Sequence, residues 1–263
     1  MPQLFYVDAK PVSPASHKDL YVKTGADYSF AAEVNSVPLA AAELPAAAAE
    51  YPIVFAGTGD TVLPIALLGG REKRNLFVDA DGKWNARYIP AFVRRYPFVF
   101  AQSPDGKSLA LCIDEQYPGC NHEGRGERLF DVDGERTAYL NQVLGFLRAY
   151  QQQHERTRSL CKKLMELELL VPVQALVTQG VENRQVLGGL RVIDRQKLKA
   201  LDADTLTTML KSDELELAFL QLHSLANLRA LGEKMPQPTA EATAPDPGRQ
   251  DGRDNDGTPP VKH

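Results

Sequence analysis

Between Ala46 and Asp114 short apolar runs alternate with turn signals, and no other stretch constrains the fold of this chain so tightly. YPIVFAG, TGD and TVLPIALLGG in succession predict a hairpin. Pro64 places its second strand at an edge or a bulge, because proline has no N–H to give to a ladder. NLFVD and the turn DADG lead into Lys83-Trp84. PFVFA, the turn SPDGK and SLALCID then predict a further antiparallel pair, with Leu109, Leu111 and Ile113 alternating onto one half-buried face. This is a meander of hairpins, not the strand–helix alternation of a parallel sheet.

The second half reads differently. From Arg136 to Leu169 an apolar stripe at Leu140, Val143, Leu144 and Leu147 predicts one long helix or two joined ones. The stripe resumes at Cys161 and Leu164, after the polar insert QQQHERTR. A continuous helix here would run about 50 Å at 1.5 Å per residue, longer than a compact domain is wide. The insert is therefore expected to overhang, bend or face a partner, and residues 136–169 become a candidate surface for a homo-oligomer.

A second hairpin, VPVQALVT to QVLGGLRVID, is too small to stand alone and is expected to join the larger sheet. Asp202 and Asp213 look like helix N-caps, the latter with Glu216 completing a capping box. Leu215 to Leu231 reads as one buried helix closed by Gly232. Residues 233–263 are rich in Pro, Gly and Asp and are expected to be disordered. The fold class implied is α+β: an antiparallel sheet of hairpins packed by helices of the C-terminal half. A single domain over 1–232 and a tail over 233–263 complete the expectation.

Composition narrows the function classes. A net charge of −4 spread along 263 residues lacks the concentrated basic face of a nucleic-acid binder. No apolar run approaches the roughly 18 residues of a membrane helix, so no membrane insertion is expected. MPQLFYVDAKPVSP has neither the basic nor the apolar region of a secretory signal. Cys112, Cys120 and Cys161 are odd in number and widely spaced, which suits a reducing, cytoplasmic setting.

The stretch DGKWNARYIPAFVRRYPFVF, residues 81–100, carries the sole tryptophan and two adjacent arginines. One reading makes it a short helical plug whose Arg94 and Arg95 are solvated at a helix C-terminus, with Trp84 and Phe98 in the core. The other makes the guanidiniums a clamp for a carboxylate or phosphate beside Trp84 and Tyr88. The same stretch resembles the signature region of the SapC family, bacterial proteins named from a surface-layer gene locus. FAAEVNSVPLAAAELPAAAAEYPIVFAG and KRNLFVDADGKW upstream, and LFDVDGERT, GGLRVIDRQKLKALDADTL and SLANL downstream, carry the likeness from about His17 to Leu231. The resemblance brings no catalytic residues with it. It implies an accessory role, linked to cell-surface or outer-membrane uptake systems.

Other constellations read as structural. Cys112, Asp114, Cys120, His122 and Glu123 do not have zinc-knuckle spacing, and no metal or cofactor is expected. The two Asp-x-Asp-Gly sequences, 79–82 and 131–134, lack the remaining ligands of a calcium loop and read as tight turns. His223 and Asn227 are four apart and are expected to share a helix face as a hydrogen-bonding pair. The function expected is thus a non-catalytic accessory or interaction protein with a protein partner. The alternative is an enzyme or small-anion binder with a site at Trp84, Tyr88, Arg94 and Arg95, and with His17 as a further candidate.

Overall fold

A computed structural model describes residues 4–70, 73–102, 109–179 and 183–235. The chain begins with strand β1 (Ala9–Pro11), the helical turn α1 (Pro14–His17), β2 (Tyr21–Val22), β3 (Ser36–Pro38) and α2 (Leu44–Ala47). The meander follows as β4 (Ile53–Ala56), β5 (Leu63–Leu67), the short helix α3 (Ala91–Arg94), β6 (Phe98–Gln102) and β7 (Leu109–Asp114). After β8 (Cys120–Asn121) and β9 (Glu127–Arg128) comes the long helix α4 (Ala138–Glu166), then β10 (Leu170–Gln179) and β11 (Asn183–Ile193). Helices α5 (Arg195–Lys199), α6 (Ala203–Lys211), α7 (Glu214–Ser224) and α8 (Asn227–Glu233) close the described chain.

The hairpin meander makes two sheets and the class is α+β. β4 and β5 sit in a five-stranded sheet of order β10-β11-β4-β5-β3, while β1, β7 and β6 form a three-stranded one. A small third sheet has the order β8-β2-β9. The late hairpin joins the first half where Leu190 and Arg191 of β11 pair with Ala56 and Phe55 of β4. Opposite Gln174 the partner strand carries two residues, Gly188 and Gly189, between the pairs Val173–Leu190 and Ala175–Leu187. Gly189 takes φ +74°, the left-handed conformation that such a bulge requires. The apolar core runs through both sheets, from Phe5 to Leu231.

Several expectations are corrected. β5 is not an edge strand, for it lies between β4 and β3. Pro64 is tolerated because β3's paired residues end at Ile65, and its carbonyl still accepts the Leu39 N–H at 2.9 Å. Burial along β7 is a gradient rather than an alternation: Leu109 is 49% exposed, whereas Cys112, Ile113 and Asp114 are buried. The turn expected at SPDGK lies outside the described residues.

α4 is one continuous helix, and its polar insert does not overhang. Thr157 is fully buried, and its hydroxyl accepts the Ala41 N–H at 2.8 Å while donating to the Gln153 carbonyl at 2.6 Å. The helix lies across β5, β6 and β9, so its length spans all three sheets rather than one. Its outward face, with Arg148, Gln152, Arg156, Ser159 and Lys162 exposed, is polar.

Asp202 caps α6 as expected, its carboxylate accepting the Thr205 N–H at 2.8 Å. Asp213 does not cap α7. It adopts φ +63° in the tight link between α6 and α7, and a capping carboxylate needs extended backbone. The apolar run 215–231 breaks at Leu225–Ala226, and Gly232 lies within α8. Ser224 and Asn227 fix that break. The Ser224 hydroxyl accepts the Ile53 N–H at 3.0 Å, and the Asn227 amide donates to the carbonyls of Ala48 and Tyr51. His223 is exposed and not paired with Asn227.

The ordered chain continues past Gly232. Lys234 sets its ammonium 5.2 Å from the Phe77 ring centre, and Met235 is buried. The rest of the expected tail, 236–263, lies outside the described residues. No helix among the described residues is long and apolar enough to cross a membrane.

Candidate functional site

The loops around residues 79 and 131 have one geometry. Asp79 Oδ1 accepts the N–H groups of Asp81 and Lys83, and Asp131 Oδ1 accepts those of Asp133 and Glu135. Gly82 and Gly134 take φ +75° and +83° at the same place. Both carboxylates close turns. The Asp79 turn delivers Trp84, whose indole is buried and donates to the Tyr51 hydroxyl at 2.9 Å. Tyr51 in turn donates to the Tyr88 carbonyl. The Tyr88 hydroxyl donates at 2.8 Å to Glu43, a buried carboxylate that sequence reasoning passed over. Trp84 and Tyr88 are thus the ends of a packing network that seats α3.

The two arginines at the end of α3 part company. Arg94 is exposed; its Nε donates to the Ile89 carbonyl at 2.9 Å, and its guanidinium lies over Tyr88 and Phe146. Arg95 is only 4% exposed. Its guanidinium carbon lies 4.2 Å from the Phe92 ring centre, 5.1 Å from Tyr150 and 5.7 Å from Tyr6. A flat, weakly hydrated guanidinium can be buried against ring faces in this way where an ammonium cannot. The expectation of two solvated arginines therefore fails at Arg95. Residue type and helix position do not reveal which of two neighbours is covered; that depends on Tyr150 of α4 and Tyr6 of the N-terminal segment.

Arg95 lines a cavity of about 620 Å³ between α4 and the β1-β7-β6 sheet. Trp84, Tyr88 and Arg94 do not line it. The α4 wall is a stripe at i, i+3, i+4 and i+7, formed by Leu147, Tyr150, Gln151 and His154. Tyr150 is 7% exposed, and its hydroxyl makes no hydrogen bond with any described residue. Burial pushes its pKa up to about 12, so at neutral pH it carries a proton to donate. The His154 ring stacks on Tyr150, with centroids 6.5 Å apart and planes at 16°. Burial lowers the pKa of His154, which favours the neutral imidazole. Tyr6 is committed, donating to the Phe98 carbonyl at 2.7 Å.

His17 is in a different place. It is 1% exposed, with Nδ1 3.2 Å from both the N and the O of Ser13 and Nε2 3.1 Å from Glu115 Oε1. Among the described residues no hydrogen bond, ion pair or ring contact joins it to Trp84, Tyr88, Arg94 or Arg95. It ties α1 to the end of β7. The cysteine-rich segment is dispersed as well. The Asp114 carboxylate accepts the N–H groups of Val7 and Gln116, while His122 Nδ1 sits 3.0 Å from the Asp19 carbonyl. No three His, Cys, Asp or Glu side chains converge among the described residues.

A family model named SapC matches residues 12–231. The chain belongs to the SapC family. The matched span of this SapC member holds Arg95, Tyr150 and His154, and it begins after Tyr6. No curated protein and no solved structure matches the chain. Gln151 and His154 were missed from sequence because they sit in the polar insert, expected there to overhang, bend or face a partner, and Tyr150 immediately precedes it. Their spacing, continuing the Leu140–Leu144–Leu147 stripe by one and two turns, was the available signal.

Proposed function

We propose that this SapC family member is a non-catalytic accessory protein, one that recognises and holds a partner molecule rather than converting it. The observation that carries the reading is the state of its nucleophiles. Burial raises the pKa of Cys112, and it pushes those of Cys120 and Cys161 up to about 12, so all three are held as unreactive thiols. The best-placed imidazole, His154, is stacked on a protonated phenol and makes no hydrogen bond to a nucleophile or an orienting carboxylate among the described residues. The accessory role includes a protein partner, a cytoplasmic setting and a link to cell-surface or uptake systems, all motivated by family membership and by three free thiols.

A second reading, a small-anion binder, is favoured by one part of the expected site. Arg95 lines the cavity beside Tyr150 and His154, whereas Trp84, Tyr88 and Arg94 do not. Both readings are tested by incubating the purified protein with a metabolite extract of its source cells and profiling masses over time. Depletion of a compound in stoichiometric amount, with its mass unchanged on release, supports binding. Turnover of any compound beyond one equivalent overturns the non-catalytic reading.

A further inference from the structure

Helix α7 is held by one face and open on the other. Leu217, Ala218, Gln221 and Ser224 are buried. The Gln221 amide bridges two strands, its oxygen accepting the Ile193 N–H at 3.1 Å and its nitrogen donating to the Ile53 carbonyl at 2.9 Å. With the bond from Ile53 to Ser224, these contacts fix the rotation of the helix. The opposite face carries Leu215, Phe219 and Leu222, spaced four and three residues apart. Phe219 is 40% exposed, and Leu215 and Leu222 are half-buried. Leu210, 65% exposed, stands beside the start of α7, its carbonyl accepting the Asp213 N–H at 3.3 Å. Single exposed apolar residues are ordinary, but a four-three stripe on a helix that cannot turn is the seam of a helix pair. Glu216 and His223 flank this stripe, seven residues apart and so on the same side of it. Both are exposed, and neither side chain has a hydrogen bond or ion pair among the described residues.

We infer that α7 is the contact of a weak homodimer, packing antiparallel on α7 of a second copy about a two-fold axis beside Phe219. Phe219 lies midway between Glu216 and His223, so this arrangement sets each Glu216 against His223 of the partner subunit, and does so twice. An imidazole N–H donates to a carboxylate whether the ring is neutral or protonated. Parallel pairing would instead set glutamate on glutamate and histidine on histidine, and like charges repel. Antiparallel packing also opposes the two helix dipoles. A single helix that carries both halves of its own charge pattern selects a second copy over a different protein. Three turns per copy bury less than the roughly 1,600 Å² of a standard interface, so a Kd of about 10–100 µM is expected. The inference is independent of the cavity at Arg95 and of the accessory reading.

The test is sedimentation velocity of the full-length protein from about 1 to 300 µM at neutral pH. The wild type is expected to move from a 29.0 kDa monomer toward a dimer across that range. Phe219→Glu puts a charge beside the axis in both copies and should weaken the dimer at least about tenfold. His223→Glu turns both charge pairs into like pairs and should weaken it about three- to tenfold. Adding Glu216→Lys to His223→Glu reverses each pair and should restore the dimer. Thermal melts check that the variants fold; Glu216 and His223 are exposed, so the charge exchange decides the matter even where Phe219→Glu does not fold. A monomer at about 300 µM leaves this face to a different protein and overturns the inference. So does a dimer indifferent to Phe219→Glu, or a double variant no tighter than His223→Glu alone.

Discussion

Replacing Glu43 should be among the costliest single changes in this protein, and its two obvious replacements should differ. Glu43 is 7% exposed, yet it bears a carboxylate with three donors trained on it. Oε1 accepts the Tyr88 hydroxyl at 2.8 Å and the Ala91 N–H at 2.6 Å, and Oε2 accepts the Ala40 N–H at 2.7 Å. Ala91 opens α3, so this carboxylate seats the helix that carries Arg94 and leads into Arg95. In Glu43→Ala two buried N–H groups lose their acceptor at about 1–3 kcal/mol each, while the half-buried Tyr88 hydroxyl can turn to water. Relief of the carboxylate's own burial offsets part of this, leaving about 2–4 kcal/mol. Glu43→Gln can keep its oxygen at the Oε1 position and lose only the Ala40 bond, at about 1–3 kcal/mol. Urea denaturation followed by the fluorescence of Trp84, the sole tryptophan, measures both. A cost below about 1 kcal/mol for alanine, or equal costs for the two variants, would refute the argument.

Three further outcomes follow from particular contacts. Arg94→Ala should stay within about 1 kcal/mol of the parent in urea melts, whereas Arg95→Ala, which empties a ring-lined slot, should cost about 2–4 kcal/mol; equal costs would mean that the two side chains are not in different environments. Gly82→Ala should destabilise more than Gly134→Ala by thermal melting. Both glycines take positive φ, but a Cβ at Gly82 would meet Asp27 Oδ1 at 2.2 Å, while at Gly134 the nearest atom is Pro14 Cβ at 3.8 Å; the reverse order would contradict the loop geometry. Hydrogen bonding to Lys10, and then the charges of Lys10 and His17, hold Glu115 below the usual carboxylate range. A depressed folded-state pKa stabilises fully above the unfolded value of about 4.3 and ceases to do so as pH falls through the folded value. The Tm gap between wild type and Glu115→Gln should therefore be present at neutral pH and close in acid; a gap that widens in acid would show the sign to be wrong.

What the sequence made legible was set by local rules. Turn chemistry is local, so both Asp-x-Asp-Gly loops, the β4–β5 hairpin and the Asp202 cap could be read directly, and the glycine pair of the second hairpin marks the bulge at 188–189. Asp213 has the same residue type as Asp202, but the two-residue link between α6 and α7 imposes a left-handed conformation that no local rule selects. Pro64 and the break after Ser224 are decided by partners far along the chain, Leu39 in one case and Ile53 in the other. The site shows the same division. Arg94 and Arg95 were visible as a pair, but the burial of one of them depends on Tyr6 and Tyr150, some 90 and 55 residues away in sequence. His17 was named as a further site candidate, and the structure places it at the junction of α1 with β7.

The most direct test of the account distinguishes those neighbours in solution. The guanidinium Nε–H resonances of Arg94 and Arg95 can be followed by ¹H–¹⁵N NMR, with Arg94→Lys used to assign them. The account expects the Arg95 signal to be displaced by the rings of Phe92, Tyr150 and Tyr6 and slow to exchange with water, and the Arg94 signal to exchange faster. An Arg95 signal that exchanges as fast as that of Arg94 would contradict it.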